Sequence, residues 1–419
     1  MELNKKKLLT VLSEIKAYKD VVVFQDSAED GYLDILYAPY KGIAEAPGAI
    51  HKITMSLKGS DADLFDDSPV PEKLGEAVPI YLTRIRDTLK DARTCIFKDG
   101  CVNGIRVAFD KSDIYHYSTV EFILARHEVF SNKIKAVASV SFKKIDWAYV
   151  ISECSKFISN DIDRYNMAGI CFDFFLGGKD FVHIVATDGR KAILLKQACN
   201  HEMFKKEDDG QFIVPPAYLF VPDSNYSSAQ IRLSKTVGQL LITTEDYSFE
   251  GIFDCIEAKF PTYTRVLPEV TDKTQWFTLS ASSLRRTINS VKSLMGKGRI
   301  FLDAENPESL TITLEESATI LEVEGTASRP MCVSFFWEHL SPCLFDGMAL
   351  TKFNLDGANC AVTSHSNKAV RGLSLDVTKI FMPARFDNIA SEKLDEFNIC
   401  VSKDKKVDSS SSSNGDDNA

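Results

Sequence analysis

Apolar and polar residues follow a helical period in three widely separated segments of the chain. Near the N-terminus, in the middle and after Ser282–Ser283, apolar side chains recur every three or four positions, with polar residues opposite. Ser282–Ser283 is predicted to cap the third segment. The leading apolar residues, Leu8, Trp147 and Leu284, stand 139 and 137 positions apart, which indicates an internal repeat. The three stripes are Leu8, Val11, Leu12 and Ile15; Trp147, Val150, Ile151 and Cys154; and Leu284, Ile288 and Val291.

Each repeat also holds a second helical candidate and a set of alternating stretches. The second candidates begin at Val78 (VPIYLTRIRDTLKD), Val214 (VPPAYLF) and Val333 (VSFFWEHLSPCLF). Residues 230–253 and 309–325 alternate apolar and polar positions, which predicts antiparallel strands with one solvated face. The predicted fold class is α+β, with three repeated domains of two helices packed on antiparallel sheet. We place these domains at residues 1–137, 138–270 and 271–386, and call them the first, second and third repeat.

The composition is that of a soluble globular protein, and it changes near the C-terminus. Hydrophobic residues make up 44% of the chain, and the net charge of −10 argues against a surface that is basic throughout. The ten cysteines are scattered without a C-x-x-C pair, and no segment resembles a signal peptide or a membrane span, so we expect a cytoplasmic location. Residues 387–419 carry eight acids and four lysines, which predicts a disordered, acidic, serine-rich tail.

No arrangement of residues in the sequence indicates a catalytic or metal centre. The seven histidines are dispersed, and His201-Glu202 lacks the second histidine of the helical zinc motif. His183 alternates with apolar neighbours and is predicted to be a strand residue. Gly177-Gly178 is predicted to form a hairpin turn, and Asp66-Asp67 falls in a loop rich in Pro, Ser and Asp. We therefore predict a protein that is not an enzyme and that uses no cofactor or metal.

Three motifs in the second and third repeats are more specific. They are DRYNMAG followed by VHIVATDGRKAILL (163–169 and 182–195), IEAKFPTYTRVLPE (256–269) and KIFMPARF (379–386). In this order and spacing they resemble the bacterial DNA sliding clamp family, the beta subunit of DNA polymerase III. The resemblance covers residues 138–386, whereas the first repeat matches only in outline, through its two helices. It implies a divergent member of that family.

The resemblance implies a ring of two subunits joined head-to-tail, with helices around a central hole and sheets outside. Such a ring encircles double-stranded DNA without reading its sequence, so a mildly basic bore is sufficient. The helix faces opposite the apolar stripes would supply this bore, and Arg164 and Tyr165 occupy positions that touch DNA in the family. The implied partners are duplex DNA, a DNA polymerase, a separate clamp loader and a second copy of the chain. The predicted DNA-facing residues are Lys6, Arg84, Lys156, Arg164, Tyr165, Arg285 and Lys292.

The resemblance also implies a pocket between the second and third repeats, where partner proteins insert a short peptide with Leu and Phe anchors. Two departures from the family change this pocket. Arg190-Lys191-Ala192 replaces His-Arg-Leu, and Ala384-Arg385-Phe386 replaces Met-Arg-Leu. We hypothesise that the pocket prefers a bulkier or more acidic peptide. The predicted pocket residues are Met167, Thr187, Gly189, Arg190, Lys191, Ala192, Pro261, Arg265, Val266, Ile380, Phe381, Met382, Pro383, Ala384 and Arg385.

The function predicted from these features is a DNA sliding clamp, which tethers a replicative polymerase to DNA. Two alternatives stay open. One is a clamp-derived docking adaptor that does not close into a ring, which the poorly matched first repeat favours. The other is an enzyme, such as a nuclease, on a different three-repeat fold. Tyr115 and Tyr117 are candidates for edge-strand contacts between subunits, and residues 394–401 of the tail are a candidate for folding back over the pocket.

Overall fold

A computed structural model of the chain describes residues 3–39, 48–57, 73–131, 136–174, 181–198, 210–267, 274–291, 299–306, 309–314, 320–329, 331–345, 350–355, 362–366 and 375–382. The predicted turn at Gly177-Gly178, the loop at Asp66-Asp67 and the tail with its residues 394–401 lie outside these ranges. The chain divides into two compact units. Unit 1 comprises Met1–Pro268 with Thr363–Phe381, and unit 2 comprises Glu269–Val362 with Met382–Ala419.

The structure is a mixed α+β arrangement in which strands outnumber helices among the described residues. The helices are α1 (Lys5–Glu14), α2 (Leu82–Asp91), α3 (Ile114–Ser131), α4 (Lys144–Cys154), α5 (Ala281–Val291) and α6 (Trp337–Leu340). The strands of the first repeat are β1 (Val21–Asp26), β2 (Tyr32–Tyr37), β3 (Ala49–Ser56), β4 (Val78–Tyr81), β5 (Phe97–Lys98), β6 (Cys101–Val102) and β7 (Ile105–Arg106). None of the helices in the described part of the chain has the length and apolarity to cross a membrane.

The second and third repeats contribute the remaining seventeen strands among the described residues. In the second repeat these are β8 (Ala138–Lys143), β9 (Ile170–Asp173), β10 (Phe181–Thr187), β11 (Lys191–Ala198), β12 (Gln211–Val214), β13 (Tyr226–Leu233), β14 (Val237–Thr244) and β15 (Tyr247–Asp254). In the third repeat they are β16 (Gln275–Leu279), β17 (Arg299–Asn306), β18 (Ser309–Leu314), β19 (Ile320–Val323), β20 (Gly325–Ala327), β21 (Met331–Phe336), β22 (Thr351–Leu355), β23 (Val362–Ser366) and β24 (Asp376–Phe381).

Unit 1 contains two large antiparallel ladders, and each joins strands from two repeats. The first has eight strands in the order β4-β1-β2-β3-β15-β14-β13-β8, so β3 of the first repeat pairs with β15 of the second. The second runs β12-β9-β10-β11-β24, so β11 of the second repeat pairs with β24 of the third. The first and second repeats therefore each extend a sheet with the last strand of the repeat that follows.

Unit 2 holds strands β16 to β22 of the third repeat. One antiparallel sheet has the order β19-β18-β17-β21, with β19 at one edge. In addition, β16 pairs with β22 on one side and with β20 on the other. The core of this unit includes the rings of Phe277 and Phe353, whose centroids lie 5.0 Å apart.

The predicted helical stripes form the cores against these sheets. Leu8, Val11 and Leu12 of α1 are fully buried, and Asn4 begins the helix by accepting a hydrogen bond from the Lys7 amide at 3.0 Å. In α4, Trp147 is fully buried and donates its indole N–H to the Phe220 carbonyl at 2.9 Å. The stripes buried in the three helices are Leu8, Val11 and Leu12; Trp147, Val150 and Cys154; and Leu284 and Ile288.

The second helical candidate is a full helix only in the first repeat, where α2 follows β4. In the second repeat it is a three-residue 3-10 turn, Pro216–Tyr218, which ends because Leu219 returns to an extended backbone conformation. In the third repeat the segment comprises the end of strand β21, the four residues of α6 and the 3-10 turn Ser341–Cys343. The residue that caps α5 is also different from the prediction, since the amide of Ser283 donates to Oγ of Ser280 at 3.3 Å.

Helix α3 was not predicted from the pattern. Asp113 begins it, because the amide of His116 donates to its Oδ1 at 3.3 Å. Val120 and Ile123, three positions apart, pack against Val21 and Val23 of β1. Because side chains alternate along a strand, Val22 and Phe24 lie on the opposite face of the sheet. Tyr115 and Tyr117, which were candidates for edge-strand contacts, therefore lie in the first turns of a helix, with the Tyr115 side chain exposed.

Candidate functional site

The first candidate surface is built around the turn between β10 and β11. Oγ1 of Thr187 accepts the Gly189 amide at 3.0 Å and donates to the Lys191 carbonyl at 2.8 Å. Oδ1 of Asp188 accepts the amides of Arg190 and Lys191 at 2.8 and 2.9 Å. Gly189 has φ of +88°, a conformation that side chains other than glycine rarely adopt. These bonds hold the turn in one shape before any partner arrives.

A 3-10 helix, Ile162–Met167, lies over this turn. It gives a second reason for a glycine at position 189, because there is little space for a side chain beneath the helix. The guanidinium of Arg164 donates from Nη1 to the Asp188 carbonyl at 3.1 Å. A Cβ atom at Gly189 would lie 3.2 Å from that Nη1 and 3.8 Å from Cε of Met167. Arg164, predicted to face DNA, is therefore bound to the turn of the predicted pocket, although its side chain remains half exposed. Its neighbour Tyr165 is 59% exposed.

Strand β24 runs beside β11 and brings its C-terminal end to the same turn. Lys191 is in register with Phe381, and Ala192 is in register with Ile380. Ala192, Ile380 and Phe381 are all buried, so they belong to the packed interior in this structure. Met382 is half-buried. Pro383, Ala384 and Arg385 lie outside the described residues.

The segment that leads out of the second repeat is anchored by a polar cluster that no motif in the sequence indicates. Tyr263 is buried, and its hydroxyl donates to Oδ2 of Asp173 at 3.2 Å while lying 3.0 Å from Nδ1 of His183. His183 and Asp173 are directly opposite on β10 and β9. Burial, and then the charge of Lys196, hold the pKa of His183 below its ordinary value. The strand prediction for His183 was right, but no local signal paired it with Asp173.

Tyr263 begins the short 3-10 helix Tyr263–Val266, which carries two predicted pocket residues. Arg265 is exposed, whereas Pro261 and Val266 are half-buried. The side-chain amide of Asn166 donates to the Lys259 carbonyl at 3.2 Å, which connects this segment to the 3-10 helix over the turn. The turn, the overlying helix and the anchored segment therefore meet in unit 1.

Cations and carboxylates are interspersed around the turn, and the carboxylates are those of Asp161, Asp163 and Asp188. Arg164, Arg190 and Lys191 surround it, with Nε of Arg164 3.6 Å from Asp161 and Nζ of Lys191 3.7 Å from Asp188. Both oxygens of Asp188 are thus directed at this turn, and the exposed Arg190 adds a further positive charge. The exposed guanidinium of Arg190 is a group that can bind a carboxylate or phosphate of a ligand.

The predicted DNA-facing residues are mostly accessible. Lys6, Arg84 and Lys156 are exposed, and Arg285 is half-buried. The guanidinium of Arg84 lies over the Tyr81 ring at 4.7 Å, and the ammonium of Lys156 pairs with Glu153. Lys292 lies outside the described residues. Within the described ranges, no group of three or more His, Cys, Asp or Glu side chains could hold a metal ion.

The repeated α+β units, the ladders shared between repeats and the turn beneath the 3-10 helix together define a clamp-type fold. Solved structures of bacterial DNA polymerase III beta subunits have this fold. The Pseudomonas aeruginosa subunit superimposes with a TM-score of 0.66 at 15% identity, over 92% of this chain and 99% of that one. The Bartonella birtlesii sliding clamp bound to griselimycin gives 0.66 at 12% identity, with the same coverage.

A third structure carries a peptide. The Helicobacter pylori beta clamp bound to a DNA ligase peptide superimposes with a TM-score of 0.64 at 14% identity, over 92% of this chain and 99% of that one. No protein-family model and no curated protein sequence matches the chain. The chain therefore has the sliding-clamp fold at a low level of sequence identity. The predicted α+β clamp-type fold is confirmed, and the different fold that the enzyme alternative requires is wrong.

Proposed function

We propose that this protein is a divergent DNA sliding clamp that encircles duplex DNA and tethers a polymerase and other partners, without catalysis or a cofactor of its own. The observation that carries the proposal is the match to clamp structures along 99% of their length, including all three repeats. A fold preserved over that length at 15% identity favours retention of the assembly that the fold serves. The clamp would work in the cytoplasm and would be opened by a separate loader.

The sheet pairing within the chain supports closure into a ring of two subunits. The third strand of the first repeat, β3, pairs with the last strand of the second, and β11 pairs with the last strand of the third. By the same rule β19 should pair with the last strand of a first repeat, which only a second copy can supply. In the described part of the chain, β19 is an edge strand, and its Ile320 is 63% exposed. An exposed apolar edge strand is suited to pairing with another chain.

One observation favours the second candidate, a docking adaptor that stays open. The last strand of the first repeat, β7, has only two residues, and helix α3 follows it. A two-residue strand offers few backbone bonds to the β19 edge of another copy. The exposed side chains of Ile96 and Ile105 on this small sheet would then have to supply much of the contact.

Mass and topology experiments separate these two functions. Light scattering across a concentration series should give 93.4 kDa, twice the 46.7 kDa of the chain, if the ring forms. Protein loaded on nicked circular DNA should stay bound during gel filtration and should be lost when the DNA is linearised. A 46.7 kDa species at every concentration, or equal retention on linear and circular DNA, would refute the ring and favour the adaptor.

The pocket role rests on the turn of Thr187–Gly189, the anchored Arg265 segment and the peptide seen on the Helicobacter pylori clamp. The substitution Arg265→Ala should weaken binding of a Leu- and Phe-containing peptide while leaving the mass of the assembly unchanged. The exposed guanidinium of Arg190 beside the turn supports a preference for acidic peptides. Fluorescence polarisation with matched acidic and neutral peptides tests this preference, and equal affinities would contradict it.

A further inference from the structure

A buried lysine connects strand β24 to the end of helix α4. Lys379 is 2% exposed, and its Nζ lies 2.8 Å from Oε2 of Glu153. The other oxygen of Glu153 is paired with the ammonium of Lys156, whose side chain is 47% exposed. Burial alone would raise the pKa of Glu153, but the two lysines outweigh it and hold the pKa below its ordinary value. One carboxylate therefore serves two ammonium groups, one buried and one at the surface.

Stability alone is a weak reason for this arrangement. Val377, Lys379 and Phe381 alternate along β24, and all three are buried, so the position of Lys379 is one that an apolar side chain normally fills. Replacing a buried ion pair by apolar residues is commonly neutral or stabilising, because both charges lose their hydration. The more informative question is how the Glu153–Lys379 pair affects the charge of Lys156, which shares the same carboxylate.

The three groups together carry one net positive charge, and only Lys156 presents it to solvent. Without Lys379, the carboxylate of Glu153 would neutralise Lys156, and a phosphate approaching the surface would meet a neutral ion pair. With Lys379 in place, Glu153 is shared and the surface retains its positive charge. The backbone of Lys156 is itself held in the last turn, since its amide donates to the Glu153 carbonyl at 3.0 Å.

We propose that Glu153 and Lys379 are positioning residues for a DNA phosphate contact made by Lys156, with Lys379 supplying the charge although it never touches DNA. This inference rests on the proposed function, because it takes Lys156 to face the encircled duplex. It gives Lys379, on the strand that ends at the predicted peptide pocket, an indirect effect on the charge of the DNA-binding surface.

The test is a salt series measured on full-length protein with a labelled DNA duplex, for wild type and four variants. Each phosphate contact contributes about 0.9 to the slope of log K against log salt concentration. Lys156→Met should reduce the slope by about 0.9, and Lys379→Met should reduce it by a similar amount. The double variant Glu153→Gln/Lys379→Met leaves Lys156 without a carboxylate and should restore the wild-type slope. Lys235→Met, at an exposed turn between β13 and β14, is the matched control and should leave it unchanged.

The rescue separates charge from damage to the fold, since a variant that merely unfolds β24 would not regain DNA binding when Glu153 is also changed. A wild-type slope in Lys379→Met, together with a reduced slope in Lys156→Met, would overturn the role of Lys379 and leave the DNA contact standing. If Lys156→Met leaves the slope of log K against log salt concentration unchanged, Lys156 does not contact a DNA phosphate, and the proposed role of Lys379 is refuted as well. Circular-DNA retention, measured in parallel, shows whether the clamp function itself holds.

Discussion

His51 is expected to make this protein lose stability in mild acid. It lies on β3 and is 3% exposed, with Nε2 3.0 Å from the Tyr218 carbonyl and Nδ1 3.2 Å from the Tyr37 hydroxyl. A carbonyl only accepts, so Nε2 donates to Tyr218 and Nδ1 accepts from Tyr37. This neutral ring satisfies both partners, and a second proton on Nδ1 would oppose the Tyr37 bond. The perturbation proposed is His51→Gln.

The magnitude follows from the pKa of the ring. Burial lowers the pKa of His51 from 6.5 to about 4, against a smaller opposing effect of the hydrogen bond to Tyr218. Between these two values the unfolded chain binds a proton that the folded chain does not, so acid favours unfolding. The stability that depends on a neutral His51 is intact above pH 6.5 and is lost as the pH falls towards 4. From pH 7.5 to pH 5 this loss is about 2 kcal/mol.

The assay is urea unfolding followed by tryptophan fluorescence. The chain has three tryptophans, and replacing Trp276 and Trp337 by Phe leaves Trp147 as the reporter of unit 1. His51→Gln should have a lower free energy of unfolding than its parent at pH 7.5. At pH 5 this difference in unfolding free energy should be smaller by about 2 kcal/mol, because glutamine does not titrate. Gly238→Ala is the matched control, because its added Cβ would clash with the Phe253 ring and destabilise the same unit while His51, Tyr37 and Tyr218 stay unchanged, so its difference in unfolding free energy should not depend on pH. If the difference in unfolding free energy between His51→Gln and its parent does not depend on pH, His51 is not the source of the acid sensitivity.

Three further predictions concern packing and the anchored segment. Trp147→Phe leaves the Phe220 carbonyl without its indole donor and should cost about 1–3 kcal/mol of unfolding free energy in urea. Gly238→Ala should cost about 1–3 kcal/mol, because its Cβ would fall on the Phe253 ring; an unchanged melting temperature would contradict this contact. Tyr263→Phe removes the hydroxyl that binds Asp173 and His183, so peptide affinity should fall along with stability. Calorimetric titration that shows wild-type affinity would mean that the anchor does not position Arg265.

Local pattern was sufficient for the helices that lead each repeat. The stripes of α1, α4 and α5 contain Leu8, Trp147 and Leu284, all fully buried, because a 3.6-residue period exposes the same face to the core over several turns. It was insufficient for α3, whose aromatic, charged and β-branched residues show no clear apolar face. That helix is placed by packing Val120 and Ile123 against β1, which periodicity within the segment does not encode.

The predicted pocket likewise has parts that follow from local sequence and parts that depend on contacts between distant residues. The turn of Thr187–Gly189 was readable, because its glycine, its hydroxyl and its carboxylate act on amides within four residues. The partners that hold its surroundings were not, since Tyr263 meets His183 from 80 positions away. Ala192, Ile380 and Phe381, predicted to line the pocket, are buried in the structure, which motif matching alone did not distinguish from exposed groove positions.

The sequence by itself determined the repeat, the α+β class and the three motifs of the clamp resemblance, because each depends on the order and spacing of neighbouring residues. Only the tertiary structure decided that β3 joins β15, that Arg164 binds the Asp188 carbonyl and that Lys379 shares Glu153 with Lys156. Glu153 and Lys379 lie 226 positions apart. Their interaction arises because the pairing of β24 with β11 brings Lys379 beside the end of α4. No pattern of neighbouring residues predicts an ion pair between groups so far apart in the sequence.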